Sequence, residues 1–268
     1  MGYFIKTESG TSVQVSGAGP PVILIHGVIV DHRMWQPQVK SLSKNFTIYC
    51  IDMLGHGRTA QPFENPKLSD FVNQLDEVLT FLSGTMKPVI GGFSMGGLVA
   101  QSYAIQNSKK VSGLILLNTV YDRTKKQRQI VIDRYHSNLK AGVDNAIASG
   151  ISRWFTSKER TLWAKEIYEL ENWMRSGNFD EKCKAHRVFA HSDHENTGKI
   201  HFIECPTLIM TGAKDSGSTP AMSRKMAREI NDSELHVLKN QHHVMSLTCA
   251  DHVSNIMDSF LQRVFNTA

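Results

Sequence analysis

Three residues far apart in the chain, Ser94, Asp215 and His243, have the types needed for nucleophilic catalysis. A serine hydroxyl is a weak nucleophile until a neighbouring imidazole takes its proton. The imidazole works best when a carboxylate fixes its tautomer. Ser94 lies in Gly92-Phe93-Ser94-Met95-Gly96, a G-x-S-x-G pattern. Glycine two residues before and two after the serine suits a sharp corner where the chain crosses itself closely and the hydroxyl is pushed into the open. The pentapeptide alone is common by chance, so its setting decides whether it is chemistry.

The setting is a strand before and a helix after. Lys87 to Phe93 reads as a short buried strand, and the helix begins at Met95. Catalytic groups in a parallel sheet collect at the carboxyl ends of the strands. Cys205 to Thr211 is another apolar run and leads into Gly212-Ala213-Lys214-Asp215. Ser233 to Leu238 leads into Lys239-Asn240-Gln241-His242-His243. Asp215 could instead cap a helix that follows it. At the end of the preceding core strand stands Asn118, which cannot supply a charge, with Asp122 close by. Either His242 or His243 could be the base.

The remaining elements follow from hydrophobic pattern. Tyr3 to Thr7 and Thr11 to Val15 flank a Ser9-Gly10 turn and read as a hairpin. Pro21 to Ile25, Phe46 to Ile51 and Val111 to Leu117 are runs of strands buried on both faces. Helices are expected from about Met34 to Lys44, Ser69 to Ser83, Met95 to about Asn107 and Ala250 to Val264. Strand–helix alternation predicts an α/β fold with a mostly parallel central sheet and helices on both faces. From Tyr121 to Ile203 no buried strand is legible. Trp154, Phe155, Trp163, Tyr168 and Trp173 stand there in helical patterns as exposed-looking aromatics. The expected organisation is a core of residues 1–120 and 204–268 with an inserted helical cap at 121–203.

Composition narrows the class. The chain has 268 residues, 41% hydrophobic and 21% charged, with a net charge of +5, which is ordinary for a globular protein. Arg123, Lys125, Lys126 and Arg128 form the densest basic group and read as a solvated helix face, so nucleic-acid binding is not expected. No apolar run approaches the roughly 18 residues of a membrane span, and the first residues lack the pattern of a signal peptide. Cys50, Cys183, Cys205 and Cys249 lack C-x-x-C spacing, which predicts reduced thiols and a cytoplasmic protein without a membrane partner. Gly55-His56-Gly57-Arg58-Thr59-Ala60 mimics a dinucleotide fingerprint, but Pro62 and Pro66 stand where its helix would open. His194-Glu195 lacks the second histidine of H-E-x-x-H, because Gly198 holds that position. Neither a cofactor nor a metal is expected; the expected partner is a small-molecule substrate.

Over nearly its whole length the chain resembles the α/β-hydrolase superfamily of serine hydrolases. His26-Gly27 matches the oxyanion-loop H-G, and Asp52-Met53-Leu54-Gly55-His56-Gly57-Arg58-Thr59 matches D-x-x-G-x-G-x-S with threonine in place of serine. The order Ser94, Asp215, His243 is the family's order, and His243 keeps the position before two apolar residues, with His242 replacing the usual glycine. Asp31-His32-Arg33-Met34-Trp35 and Arg153-Trp154-Phe155 are most similar to 3-oxoadipate enol-lactonases and their relatives. The resemblance implies acyl transfer to water through Ser94, Asp215 and His243, with an oxyanion hole from the backbone N–H groups of Val28 and Met95. It further implies Arg153 and Trp154 near a substrate that carries a carboxylate. Hydrolysis of an amide or of a carbon–carbon bond in a diketone would use the same three residues, and so would a ligand receptor of this fold with little turnover.

Overall fold

The computed structural model describes residues 2–82, 84 and 86–266. Eight strands form one sheet: β1 (Tyr3–Lys6), β2 (Ser12–Ser16), β3 (Pro21–Ile25), β4 (Thr47–Ile51), β5 (Val89–Phe93), β6 (Gly113–Leu117), β7 (Thr207–Gly212) and β8 (Ser233–Leu238). Their spatial order is β1-β2-β4-β3-β5-β6-β7-β8. The β1–β2 and β2–β4 pairs are antiparallel and every other pair is parallel. Ten helices accompany them among the described residues: α1 (Gln36–Leu42), α2 (Leu68–Phe81), α3 (Met95–Asn107), α4 (Lys125–Trp154), α5 (Ser157–Leu162), α6 (Ala164–Arg175), α7 (Phe179–His191), α8 (Pro220–Glu229), α9 (Met245–Thr248) and α10 (Ala250–Asn266). None is long and apolar enough to cross a membrane.

The continuous apolar strands are explained by the two faces they cover. In β3, Ile23 and Ile25 point into one core with Phe71, Leu75 and Val78 of α2 and Leu98 of α3. Val22 and Leu24 point into the other with Leu42 of α1 and Met257, Phe260 and Leu261 of α10. All five residues of β5 and of β6 are buried, and each large side chain contributes about 1.5–3 kcal/mol. This fixes the plane from whose carboxyl edge the candidate residues project.

Element boundaries shift where capping overrides periodicity. The helix expected from Met34 divides into a 3₁₀ turn at His32–Trp35 and α1. The Asp31 carboxylate accepts from the Arg33 N–H and starts the turn early. Helix α2 begins one residue before Ser69, with the Asp70 carboxylate accepting from the Lys67 N–H, and ends at Phe81; the expected terminus at Ser83 lies outside the described residues.

Between β6 and β7 the described residues form helices and loops and no strand, with α4 broken at Gly142 (φ 81°). The aromatics of this segment are less exposed than their pattern suggests. Phe155 and Trp173 are buried, Trp154 and Trp163 half-buried, and only Tyr168 of the five stands in solvent. The basic group also departs from expectation. Lys125 and Lys126 are exposed, but Arg123 is buried. It meets the buried Asp193 carboxylate at 3.4 Å, and Arg128 meets the same carboxylate at 2.9 Å. A buried charge needs a partner, and Asp193 serves two.

Candidate active site

Ser94 occupies the corner between β5 and α3 with φ 52° and ψ −110°. A non-glycine residue there carries strain of about 1–3 kcal/mol, so neighbours must hold it. Its N–H donates to the Leu117 carbonyl at 3.0 Å, and its carbonyl accepts from the Thr119 hydroxyl at 2.7 Å. A Cβ on Gly92 would lie 2.3 Å from the Gly96 carbonyl oxygen, and one on Gly96 2.3 Å from that of Ile25. The crossing therefore admits only glycine at both positions.

Asp215 follows β7. One carboxylate oxygen accepts from the N–H groups of Gly217 at 2.9 Å and Ser218 at 3.0 Å. The other accepts from the Asn118 amide at 2.8 Å and meets His243 Nδ1 at 2.7 Å. Asp215 is not the cap of α8; that role belongs to Thr219. Burial pushes its carboxyl up, but His243, Asn118 and the Ser218 N–H outweigh burial and hold it below its ordinary value. Asn118, which sequence reasoning set aside for lack of charge, is a donor to the acid. Asp122 is engaged elsewhere, by Lys225. His242 points away from Asp215, with Nε2 3.5 Å from Glu159, so of the two histidines only His243 meets the acid.

The His243 ring stacks on Trp154 (centroids 5.6 Å apart, planes at 22°) and tilts against Phe93 at 4.9 Å. Ser94 and His243 line the same cavities. No hydrogen bond joins them in this structure; such contacts often close only when substrate is bound. Gly27 lies over the corner, where a Cβ would come 3.3 Å from that of Ser94. The N–H groups of Val28 and Met95 have no acceptor among the described residues, and Met95 opens α3. Two free donors beside a serine can receive a developing negative charge.

Two cavities meet at Ser94. One is apolar, with Val30, Met34, Phe93, Leu170 and Leu247 in its wall. The other holds Arg123, Arg134, Arg153 and His186. Asp193 pairs with Arg123, but among the described residues no carboxylate pairs with Arg134 or Arg153. Arg153 donates to the Ser149 carbonyl at 3.0 Å and lies 5.4 Å from the Trp154 ring centre. Burial first, and the Arg134 charge second, push the Arg153 guanidinium down to about 9 against the pull of Asp215. Guanidinium stays charged at working pH, so the shift expresses the cost of burying two like charges near one another. His186, pushed down to about 3 by burial and the arginines, is neutral there.

His26 of the oxyanion loop and His56 of the loop after β4 are structural. His26 Nε2 accepts from the Met53 N–H and His56 Nε2 from the Ile29 N–H, each at 3.0 Å. Asp31, His32 and Asp52 form a compact buried group whose carboxylates are already used. Asp52 accepts from His32 Nδ1 at 2.7 Å and the Arg58 N–H at 3.0 Å, and Asp31 pairs with Arg33 at 2.6 Å.

Fold and site together define a class. The chain matches the alpha/beta hydrolase fold family over residues 20–248 and belongs to it; it is a hydrolase of that family. It is 32% identical to (E)-2-((N-methylformamido)methylene)succinate hydrolase of Acinetobacter baylyi, over 92% of this chain and 92% of that one. It is 28% identical to 3-oxoadipate enol-lactonase 1 of the same organism, over 91% of this chain and 87% of that one. A thermophilic esterase from Thermogutta terrifontis, solved with malate bound, superposes with a TM-score of 0.87 at 23% identity, covering 98% of this chain and 99% of its own. At that identity the likeness speaks for the fold.

Proposed function

We propose that this protein is a serine hydrolase that cleaves a small ester or lactone bearing a carboxylate, through an acyl-enzyme on Ser94. The observation that carries the reading is the 2.7 Å contact of His243 Nδ1 with Asp215, at the cavity that Ser94 also lines. With Nδ1 donating to the carboxylate, Nε2 is left as the base. It takes the Ser94 proton as Oγ attacks the carbonyl carbon. The oxyanion accepts from the Val28 and Met95 N–H groups, helped by the positive end of α3. His243 then delivers its proton to the leaving oxygen, and water removes the acyl group by the same route. Asp215 stays ionised and supports the imidazolium, and Asn118 holds Asp215. Asn118→Ala should therefore lower kcat about tenfold, the worth of a hydrogen bond to a charged group, with little change in KM. A kcat within twofold of wild type would contradict that role.

The carboxylate preference rests on Arg134 and Arg153, two cations beside the serine that have no acidic partner among the described residues. Both come from residues 121–203, so this segment acts as the cap that selects substrate. Arg153→Ala should raise KM for a carboxylated ester by about tenfold or more, the loss of one charge-assisted contact, and leave a neutral ester nearly unchanged. Equal effects on the two would remove the anchor. Trp154, stacked on His243, walls the same space.

A second reading, amide hydrolysis, is favoured by the relative at 32% identity, whose name gives its substrate as a succinate carrying an N-methylformamido group. A panel of carboxylated esters, neutral esters, lactones, amides and diketones, run on wild type and Ser94→Ala, tests the function. Turnover of a carboxylated ester or lactone above the rest supports the first reading, and an amide optimum replaces it with the second. A single burst of p-nitrophenol without turnover would instead mark a receptor of this fold.

A further inference from the structure

Lys182 of α7 is completely buried and makes no ion pair among the described residues. Its ammonium donates into a cage of backbone carbonyls: Trp173 and Met174 at 3.2 Å, Ser176, and Ile29 at 3.2 Å. The carbonyls of Trp173, Met174 and Ser176 lie at the end of α6, where helix carbonyls lack partners and carry partial negative charge. Capping that end explains three of the contacts. It does not explain Ile29, which belongs to the loop after β3, 153 positions away in sequence.

Ile29 is a β-branched residue held at φ 71°, in a region such residues rarely adopt. Both of its peptide groups are pinned. Its N–H donates to His56 Nε2 at 3.0 Å, and its carbonyl accepts from Lys182. His56 can accept there because its Nδ1 faces the Leu54 carbonyl at 3.0 Å, and burial holds the ring well below its ordinary value and therefore neutral. Fixing Ile29 from both sides fixes the turn that ends on it, and Val28 is the residue before. A second tie joins the same places: Arg33, paired with Asp31, also donates to the Ser176 hydroxyl. The end of α6 reaches the substrate space as well, since Met174 lines the basic cavity and Leu170 the apolar one.

We propose that Lys182 is a positioning residue for the oxyanion hole, holding the Gly27-Val28-Ile29 turn so that the Val28 N–H faces the reacting carbonyl and locking that turn to the cap. The inference rests on the serine-hydrolase reading above. The oxyanion exists only in the transition state and the tetrahedral intermediate, so loss of the latch lowers kcat without weakening ground-state binding.

The test uses the full chain with Lys182→Met, active sites being counted by titration with a fluorophosphonate. Four quantities are measured: kcat and KM for a carboxylated p-nitrophenyl ester, the affinity of a boronic acid and the affinity of succinate. The boronate forms a tetrahedral adduct on serine with an oxygen in the oxyanion hole; succinate reads the arginines alone. Expected is a fall in kcat per titrated site of roughly ten- to a hundredfold, somewhat less than deletion of an oxyanion donor. Boronate should weaken by a similar factor, and KM and succinate affinity should stay within about twofold. A lower melting temperature with kcat and boronate affinity unchanged would reduce Lys182 to a structural cap of α6, and a rise in KM alone would make it a pocket residue; either overturns the proposal. If Lys182→Met does not fold, Lys182→Arg and Lys182→Gln keep a donor in the cage. Each should lower kcat more than it raises KM, and an unchanged kcat in both overturns the latch. Should boronate fail to bind wild type, or Ser94→Ala keep its turnover, the serine reading falls and the latch with it, a result separate from an unchanged kcat in the Lys182 variants.

Discussion

Ser94→Ala is expected to abolish turnover, with kcat falling by about 10⁶-fold, while succinate binding is retained. The magnitude is that of removing the nucleophile from a serine–histidine–acid set, where the remaining groups act only as a unit. The hydroxyl sits at a strained corner of the sheet's carboxyl edge, where β5 hands over to α3, in the cavity that the His243 imidazole also lines. Alanine should be accommodated, because the corner is held by the Ser94 N–H and carbonyl, which remain. The check is a progress curve on titrated protein with an activated ester, beside succinate binding by calorimetry. Activity within tenfold of wild type, with the fold intact, would place the nucleophile elsewhere.

The second large effect separates two adjacent histidines. His243→Ala lowers kcat by about as much as loss of the serine, whereas His242→Ala leaves it within a few-fold. The difference lies in which ring meets the acid. His243 Nδ1 stands 2.7 Å from Asp215, and His242 lies 3.5 Å from Glu159 of α5. Asp215→Asn completes the comparison, with a loss of about 10⁴-fold as the amide favours the wrong tautomer. The pairing also links stability to pH. The Asp215 carboxyl is held below its ordinary value in the folded state. Its contribution is therefore present above the carboxyl range of the unfolded chain and is lost as pH falls through the lower folded value. Melting curves of wild type and Asp215→Asn should converge toward low pH, after the loss of cavity contacts common to both. Steady-state kinetics of the three variants decides the assignment; a larger loss from His242→Ala than from His243→Ala would move the base.

The middle of the sheet was legible because its strands are buried on both faces, so Pro21 to Ile25 reads as an unbroken apolar run and Val111 to Leu117 ends in Leu114-Ile115-Leu116-Leu117. The corner was legible because close chain crossing admits only glycine at Gly92 and Gly96. Asn118 was not, because its contact with Asp215 follows from the alignment of β6 with β7, where Leu117 pairs with Met210, and register is a tertiary fact. Helix α8 had a signal that went unread: Thr219-Pro220 is a capping residue followed by proline at the first helical position, with Met222 and Met226 four apart behind it. The helices between β6 and β7 resist reading for two reasons. The break at Gly142 interrupts the period of α4, so the face carrying Arg134 cannot be phased with the one carrying Arg153. Arginines that enter a cavity look like solvated ones in sequence, and Lys182 looks like any lysine on an amphipathic helix until α6 and the oxyanion loop close around it.

The central claim is a covalent acyl group on Ser94. Mixing the protein with a p-nitrophenyl ester, quenching in acid within milliseconds and mapping the peptides by mass spectrometry tests it directly. The account predicts an acyl mass on the peptide containing Gly92 to Gly96, localised to Ser94, and lost again at the rate of turnover. Steady release of p-nitrophenol with Ser94 unmodified, or with the acyl group on another residue, would contradict it.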